Sequence, residues 1–481
     1  AAVPGGGVRW CAGVPESGQE GLPDPNMNYH SPTRGAPPHP RKGALRPQDL
    51  GDGIFQAYPD PPPASDAYTS RHYPVLMVAQ GAVRHIRINN SYRHNALSDD
   101  LQLGLYGTLQ KYGRDVPGKA VLVDAVGKEY CTGTDVKSLY AGVLGLEGVD
   151  KVSPRDYFRH QYKLMHLVSR FRKPMIPFVD GKCMGAGVGL VANAAVSMGT
   201  EKATFSVPNV RTGLPVDGGN SYILGNLPYN LGKLIALTGM TLSSTDMYTL
   251  DLLSHRVTSD TAHHVVENLE NQWSSQWERI LYCLAEHHDM DSVLHLTTGD
   301  IEAAERCFRA KNVSDILEAL DNDPHPVTKR WASALRASSP LALQISLELL
   351  DRAEELNRVQ AFKMEYRAVR NMVEKHPDFL EGVRSTVLER KRPRWESTVE
   401  GVSASSVEEY LREYEDPSEE LSLRDPFADH RELPYVPFDL IRRVAHDAID
   451  QFDALGTARD EDFLGDNRQE AVAEGVVEGN G

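Results

Sequence analysis

Apolar and polar positions alternate over VLMVAQ and again over VRHIRI, Val83 to Ile88, a period of two that predicts a pair of strands starting near Pro74. A helical repeat follows from Ser98 to Tyr112, with Ser98 in the place of an N-cap. AVLVDA, Ala120 to Ala125, reads as a buried strand. A second helical repeat, Arg155 to Phe171, leads into the short apolar strand Met175 to Val179. Strand, turn and helix recur at short intervals, which predicts an α/β layered fold with a mostly parallel sheet. From Thr245 to about Lys391 the period is helical instead, as in Val313 to Leu320, Pro340 to Arg352 and Val359 to Val373. A helical lobe packed on the α/β core is the consequence.

The two ends differ from this body. Residues 1–73 are rich in Pro, Gly and Ser and keep no sustained period, so they read as an extension that wraps a partner or stays unpacked. The expected divisions are therefore an N-terminal extension over 1–73, an α/β core over 74–244, a helical lobe over 245–396 and an acidic extension over 397–481. Within the last, LPYVPFDLIRRV, Leu433 to Val444, reads either as a docking segment or as part of a solvated tail. The chain begins without Met, which we take as a processed or renumbered start.

Charge changes the picture less than its total suggests. The formal net charge is −16, but from Val399 onward there are 22 acids against 7 bases, so the tail carries almost all of the excess. A ribonucleoprotein setting is not excluded; extensive direct RNA contact is not expected. No uninterrupted apolar run is long enough for a membrane-spanning helix. The five cysteines, Cys11, Cys131, Cys183, Cys283 and Cys307, are scattered without paired spacing, which argues for a reducing compartment and against a structural zinc site.

Chemistry concentrates between Lys173 and Tyr222. Gly181 to Gly189 supplies four glycines in nine residues after a strand and before a small apolar run. Such a turn brings backbone amides close to a ligand and can cradle an oxyanion or phosphate; it can equally serve close helix packing. GKEYCTGTDV, Gly127 to Val136, predicts a second turn facing the first. His85, His94 and His160 lack metal-ligand spacing, and His287, His288, Asp289 and Asp291 look like a polar helix end. Cys131 and Cys183 lie in the two turns without a basic partner in view.

NNSYRHNALS (Asn89 to Ser98), EYCTGTD (Glu129 to Asp135) and DGKCMGAGVGL (Asp180 to Leu190) together resemble the crotonase, or enoyl-CoA hydratase/isomerase, superfamily. TGLPVDGGNSYILGNL, LGKLIALTG, MEYRAVRN, HPDFLEGVRS and RKRPRW narrow the resemblance to the 3-hydroxyisobutyryl-CoA hydrolase branch, over about Val75 to Trp395. The resemblance implies a crotonase-like layered ββα core with a C-terminal helical lobe. It also implies an acyl-CoA thioester as the ligand to expect, with no other cofactor. In the family, two backbone amides stabilise the thioester oxyanion, and matched by position they belong to Thr134 and Ala186, where glycine is usual. The two extra side chains are expected to crowd the thioester.

The branch also resembles a PE-x-x-x-G-L-x-x-D arrangement, in which a glutamate activates water or attacks the thioester. Here that segment runs from Pro208 to Asp217, and the glutamate position is Asn209. An amide takes no proton at neutral pH and is no carboxylate nucleophile. The further glutamate of hydratases falls on Gly189, which leaves Asp217 as the matched carboxylate. Asp217 reads either as a lone general base or as the pin of the DGG turn. Arg211 cannot be a base; it compensates charge on CoA or sits on the surface.

Two functions follow as expectations. One is an acyl-CoA thioester hydrolase of valine breakdown that uses Asp217. The other is a crotonase fold kept as a structural subunit in the mitochondrial matrix, since hydrolase-like proteins of this branch occur in the small subunit of some mitochondrial ribosomes. Its partners would be other protein subunits, reached through the terminal extensions, with limited or peripheral RNA contact, no membrane, and residual acyl-CoA binding retained. Asn209, Thr134, Ala186 and the two extensions favour the second.

Overall fold

Two sheets divide the strands of the core, and the chain passes from one to the other at each repeat. The computed structural model describes residues 73–80, 82–115, 117–146, 152–271, 278–289, 295–429, 438 and 440–451. Its strands are β1 (Val75–Gln80), β2 (Val83–Ile88), β3 (Ala120–Ala125), β4 (Glu129–Cys131), β5 (Met175–Val179), β6 (Lys182–Met184), β7 (Met198–Thr200), β8 (Thr204–Ser206), β9 (Thr241–Ser243) and β10 (His255–Val257). The larger sheet runs β1-β2-β3-β5-β7-β10 and the smaller β4-β6-β8-β9. As the alternation predicted, β1 and β2 are antiparallel, with Val75 opposite Ile88. From β2 onward every pairing in the larger sheet is parallel.

Helices α1 (Asp99–Arg114), α2 (Val136–Val143), α3 (Pro154–Ser169), α4 (Ala186–Ala192), α5 (Asn220–Gly225) and α6 (Leu231–Thr238) alternate with the strands. Ser98 caps α1, its hydroxyl accepting the Leu101 amide. Strands β3 and β4 lead into α2 and α3, and β5 and β6 lead into α4, each pair giving one strand to each sheet. This is the layered ββα core that the resemblance implied. It also sets Cys131 at the end of β4 beside Cys183 in β6, so that the turns after these strands become neighbours.

The three-residue strands were not visible as a pattern. Gly127 to Val136 was expected as a turn, yet Glu129–Cys131 is a strand, because Tyr130 and Cys131 are buried alongside Lys182 and Cys183. Likewise β10 lies within the segment expected to be helical, pairing with β7 at the edge of the larger sheet. Beyond it the helical reading holds: Val313–Asn322, Pro340–Ala353 and Arg358–Lys375 are helices. Helix Pro340–Ala353 packs on α5 and α6, and Arg358–Lys375 packs on α3. There Tyr162 meets the rings of Phe362 and Tyr366 at 6.0 and 6.3 Å.

The N-terminal extension lies outside the described residues except for Tyr73, and so does Leu433–Pro437 of the candidate docking segment. Much of the rest of the acidic region is tied to the body. Val407, Leu411, Leu421 and Phe427 are buried in the main core, with the Phe427 ring against Phe171 at 5.8 Å. Its acids meet arginines of α3 and of helix Arg358–Lys375: Glu419 lies 2.6 Å from Arg370 and 2.9 Å from Arg155, and Glu420 lies 2.9 Å from Arg367. Farther on, the helix over 440–451 buries Ile441, Ala445, Ala448 and Ile449, while Arg442 and His446 reach Asp251 at 3.0 and 3.4 Å. This part of the candidate docking segment is docked on its own chain.

These ion pairs are half-buried, and their attraction is offset by the cost of removing the charges from water, so the buried rings carry most of this clamp. Phe427→Ala is expected to lower the free energy of unfolding by about 3 kcal/mol and to speed proteolysis within 397–429. Urea titration and limited proteolysis measure the two effects; unchanged cleavage would show that the segment is not held by this ring.

Candidate functional site

The turn after β4 is fixed from three sides. Leu97 donates its amide to the Gly133 carbonyl at 2.8 Å, the Asp135 amide donates to the Tyr157 hydroxyl at 2.8 Å, and that hydroxyl donates to the Leu97 carbonyl at 2.6 Å. Asp135 also caps α2, accepting the Ser138 amide. Gly133 has φ of 81°, and a Cβ there would stand 3.0 Å from the Ala186 nitrogen and 2.6 Å from the Met184 carbonyl. The turn carrying Thr134 therefore touches the turn carrying Ala186. Neither the Thr134 nor the Ala186 amide has a hydrogen-bond acceptor among the described residues.

Asp217 sits fully buried behind these turns. Its Oδ2 accepts the Thr134 hydroxyl at 2.5 Å and the Gln161 side-chain amide at 3.2 Å, and its Oδ1 accepts the Asn209 side-chain amide at 2.7 Å. Burial raises its pKa, and the three hydrogen bonds oppose that rise. The Asp217 carbonyl accepts the Asn220 side chain at 2.7 Å, which also donates to the Gly185 carbonyl at 3.0 Å. One carboxylate thus joins the β4 turn, α3 and the 3₁₀ turn Asn209–Thr212.

The two side chains in the oxyanion positions serve this same knot. The Ala186 methyl lies where a Cβ on Gly218 would be only 2.8 Å away, so it packs under the DGG turn, and the Thr134 hydroxyl goes to Asp217. Gly189 faces that turn even more closely. A Cβ there would stand 2.0 Å from the Gly218 carbonyl oxygen, so no glutamate fits without displacing the turn. All four residues singled out in the sequence, Thr134, Ala186, Asn209 and Asp217, are brought together.

A second buried carboxyl was missed. Glu365, on helix Arg358–Lys375, accepts the Gly219 and Ser221 amides at 2.7 and 2.6 Å and the Tyr162 hydroxyl at 2.9 Å. It is fully buried, and burial raises its pKa to about 7, with the Asp217 charge adding to the rise. Gln161 was missed as well. Both had a signal in the sequence, since each occupies the apolar stripe of its helix: Gln161 between Tyr157 and Met165, Glu365 between Phe362 and Val369. A polar group in such a stripe needs a partner.

The remaining candidates are structural. His85 lies 3.1 Å from Asp124 and His160 lies 2.6 Å from Asp99. His288 stacks near Tyr248 at 4.8 Å, and Asp291 falls outside the described residues. Among the described residues no group of three or more His, Cys, Asp or Glu side chains is placed to hold a metal ion. Burial pushes the Cys131 thiol up to about 12 and the Cys183 thiol well above its usual range, so neither is a ready nucleophile.

The family model for enoyl-CoA hydratase/isomerase matches residues 83–411. The chain belongs to the enoyl-CoA hydratase/isomerase family. Within it the chain is close to 3-hydroxyisobutyryl-CoA hydrolases: it is 28% identical over 345 residues to the mitochondrial enzyme of Rattus norvegicus, covering 70% of this chain and 88% of that one. It is 29% identical over 373 residues to small ribosomal subunit protein mS47 of Arabidopsis thaliana, covering 73% and 90%. A carnitinyl-CoA dehydratase from Mycobacterium thermoresistibile superposes with a TM-score of 0.66 at 26% identity, over 73% of this chain and 99% of that one. The hydrolase and the dehydratase are named for acyl-CoA substrates, and the ribosomal protein is not.

Glu365→Gln tests the knot at Asp217 from the lobe side. The amide offers one acceptor where the carboxyl has two, so one backbone donor is stranded and stability falls by about 1 to 3 kcal/mol. The pH dependence has a definite sign. Because the folded pKa is above the unfolded one, the stabilisation from Glu365 titration is full below about 4.5 and declines as pH rises toward about 7. Urea unfolding between those values should show the wild-type slope and a flatter one in the variant; equal slopes would contradict the assignment.

Proposed function

We propose that this chain is a catalytically degenerate 3-hydroxyisobutyryl-CoA hydrolase-like protein that serves as a structural subunit of a mitochondrial assembly, the small subunit of the mitochondrial ribosome. The observation that carries the reading is the hydrogen bond from Asn209 to Asp217. Where the branch motif has its glutamate, this chain has an amide that donates at 2.7 Å to the matched aspartate. A general base must reach a water or the proton it removes. Asp217 is wholly buried and its two oxygens accept three protein donors, so the geometry favours an anchor of the DGG turn.

The similarity to a plant small-subunit ribosomal protein over 90% of that protein's length supports the assembly role, and the mitochondrial hydrolase relative supports a mitochondrial setting, within which this reading puts the chain in the matrix. Partners on this reading are neighbouring protein subunits, with peripheral RNA contact. The unsatisfied amides of Thr134 and Ala186 are consistent with residual acyl-CoA binding without turnover.

A second reading, an active thioester hydrolase with Asp217 as base, draws on those same amides and on the raised pKa of Asp217. The two readings separate experimentally. On the structural reading, purified protein does not hydrolyse 3-hydroxyisobutyryl-CoA, and Asn209→Glu does not restore activity. It places a second carboxylate against Asp217 and destabilises the fold by a few kcal/mol instead. Turnover by the unmodified protein, abolished in Asp217→Asn, would establish the hydrolase. For the assembly, mitochondrial lysate is sedimented through a gradient and the chain detected; it should travel with the small ribosomal subunit. Sedimentation only as a free protein would refute the ribosomal role.

A further inference from the structure

The 3₁₀ turn that buries Asn209 also presents an exposed Arg211 to a basic pocket. Its other walls are helix Thr328–Arg336, the π-helical turn Val383–Glu389 and the extended residues that follow it. The pocket encloses about 690 Å³ and opens to solvent. Arg211, Lys329, Arg330 and Arg392 line it together with the hydroxyls of Ser333 and Thr386, and no acidic residue does. In a chain of net charge −16 this is a concentrated exception.

Lys329 stands beside the Asp321 carboxylate, while Arg211, Arg330 and Arg392 pair with no acid among the described residues. Arg211 donates to the Thr238 carbonyl at 2.7 Å and Lys329 to the Asp321 carbonyl, both uncharged acceptors. Arg330 and Arg392 are exposed and have no acceptor among the described residues. The bordering acids are committed elsewhere: Asp321 pairs with Arg336, while Glu381 and Glu389 pair with Arg384, and Glu389 also with Lys391. Three guanidinium groups held together with no acid paired to them among the described residues repel one another, and that cost is relieved when an anion binds. Guanidinium groups fit phosphate in a bidentate manner, and the Ser333 hydroxyl offers a further donor, whereas the Thr386 hydroxyl is given to the Gly382 carbonyl.

We propose that this pocket seats the phosphodiester backbone of single-stranded RNA. The extended stretch that carries Arg392 also carries the exposed Arg390 and Arg394, so several cations lie along one run of chain, which suits successive phosphates. The pocket is separate from the Asp217 knot, since Asn209 points inward and Arg211 lies at the surface of the same turn. The inference rests on the ribosomal reading only for the choice of RNA as the source of the phosphates. The contact is peripheral and sequence-independent.

Binding of a labelled single-stranded oligouridylate to the full chain is measured by fluorescence anisotropy between about 50 and 200 mM salt. Three or four phosphates should give a slope of log affinity against log salt of about −2 to −3, at about 0.7 for each phosphate. Arg330→Gln and Arg392→Gln should each weaken binding about three- to tenfold and flatten the slope by about 0.7, whereas Arg336→Gln, already paired with Asp321, should change neither. Absence of salt-dependent binding, or binding indifferent to Arg330 and Arg392, overturns the proposal. So does binding of coenzyme A that depends on Arg330 and displaces the oligonucleotide at equal concentration, which would make the pocket a diphosphate seat. If the oligonucleotide binds through this pocket while the chain sediments free of ribosomes, the RNA site stands and the ribosomal role falls.

Discussion

The DGG turn that begins at Asp217 is where the α/β core meets the helical lobe: the core holds the Asp217 carboxylate, and Glu365 of the lobe holds the Gly219 and Ser221 amides. The carboxylate takes one donor from the turn after β4, one from α3 and one from the 3₁₀ turn Asn209–Thr212, and the backbone of its own DGG turn is held in addition by Asn220, by Asn193 and by Glu365. Placing a carboxylate in a site without solvent costs several kcal/mol unless hydrogen bonds replace the lost water. No cation among the described residues pairs with it or with Glu365, so those donors must supply the compensation. Asn209 is one of them. A glutamate in its place would remove a donor and add a like charge, worth on the order of 4 kcal/mol of repulsion at about 4 Å in a protein environment.

That balance explains why the substitutions away from the branch pattern come as a set. Thr134 supplies a hydroxyl that glycine lacks, Ala186 fills the space beneath Gly218, and Asn209 supplies an amide where a carboxylate would repel. Each taken alone reads as the loss of a catalytic part. Taken together they supply donors and packing to the Asp217 carboxylate and its turn. The two turns keep their contact and their free amides, because these depend on the backbone pairing of β4 with β6 and not on the side chains.

The layered core was legible because its long strands alternate or run apolar and its helices carry clear stripes; β1, β2, β3, β5 and α1 fall where the pattern put them. Strands of three residues are too short for any period, so β4 and β10 were read as turn and as helix. The four site positions came from motif resemblance. Gln161 and Glu365 did not, although each breaks an apolar stripe, because resemblance directs attention to motif positions and away from polar residues in the stripes between them. The acidic tail misled in another way. Its composition suits a solvated segment, but its acids match Arg155 of α3 and Arg367 and Arg370 of Arg358–Lys375.

The same charges connect the tail to the basic pocket. Glu408, Glu419, Glu420 and Asp425 are spent on Arg352, Arg155, Arg370, Arg367 and Arg172, which removes those arginines from any role toward an outside anion. The cations at Arg211, Arg330 and Arg392 have no such partner, and the acids nearest to them are already engaged. Net charge sums these two populations and so describes neither. What a polyanion meets is the local field within about 8 to 10 Å at physiological salt. At that range the surface around Arg211, Arg330 and Arg392 is positive, although the chain is acidic overall.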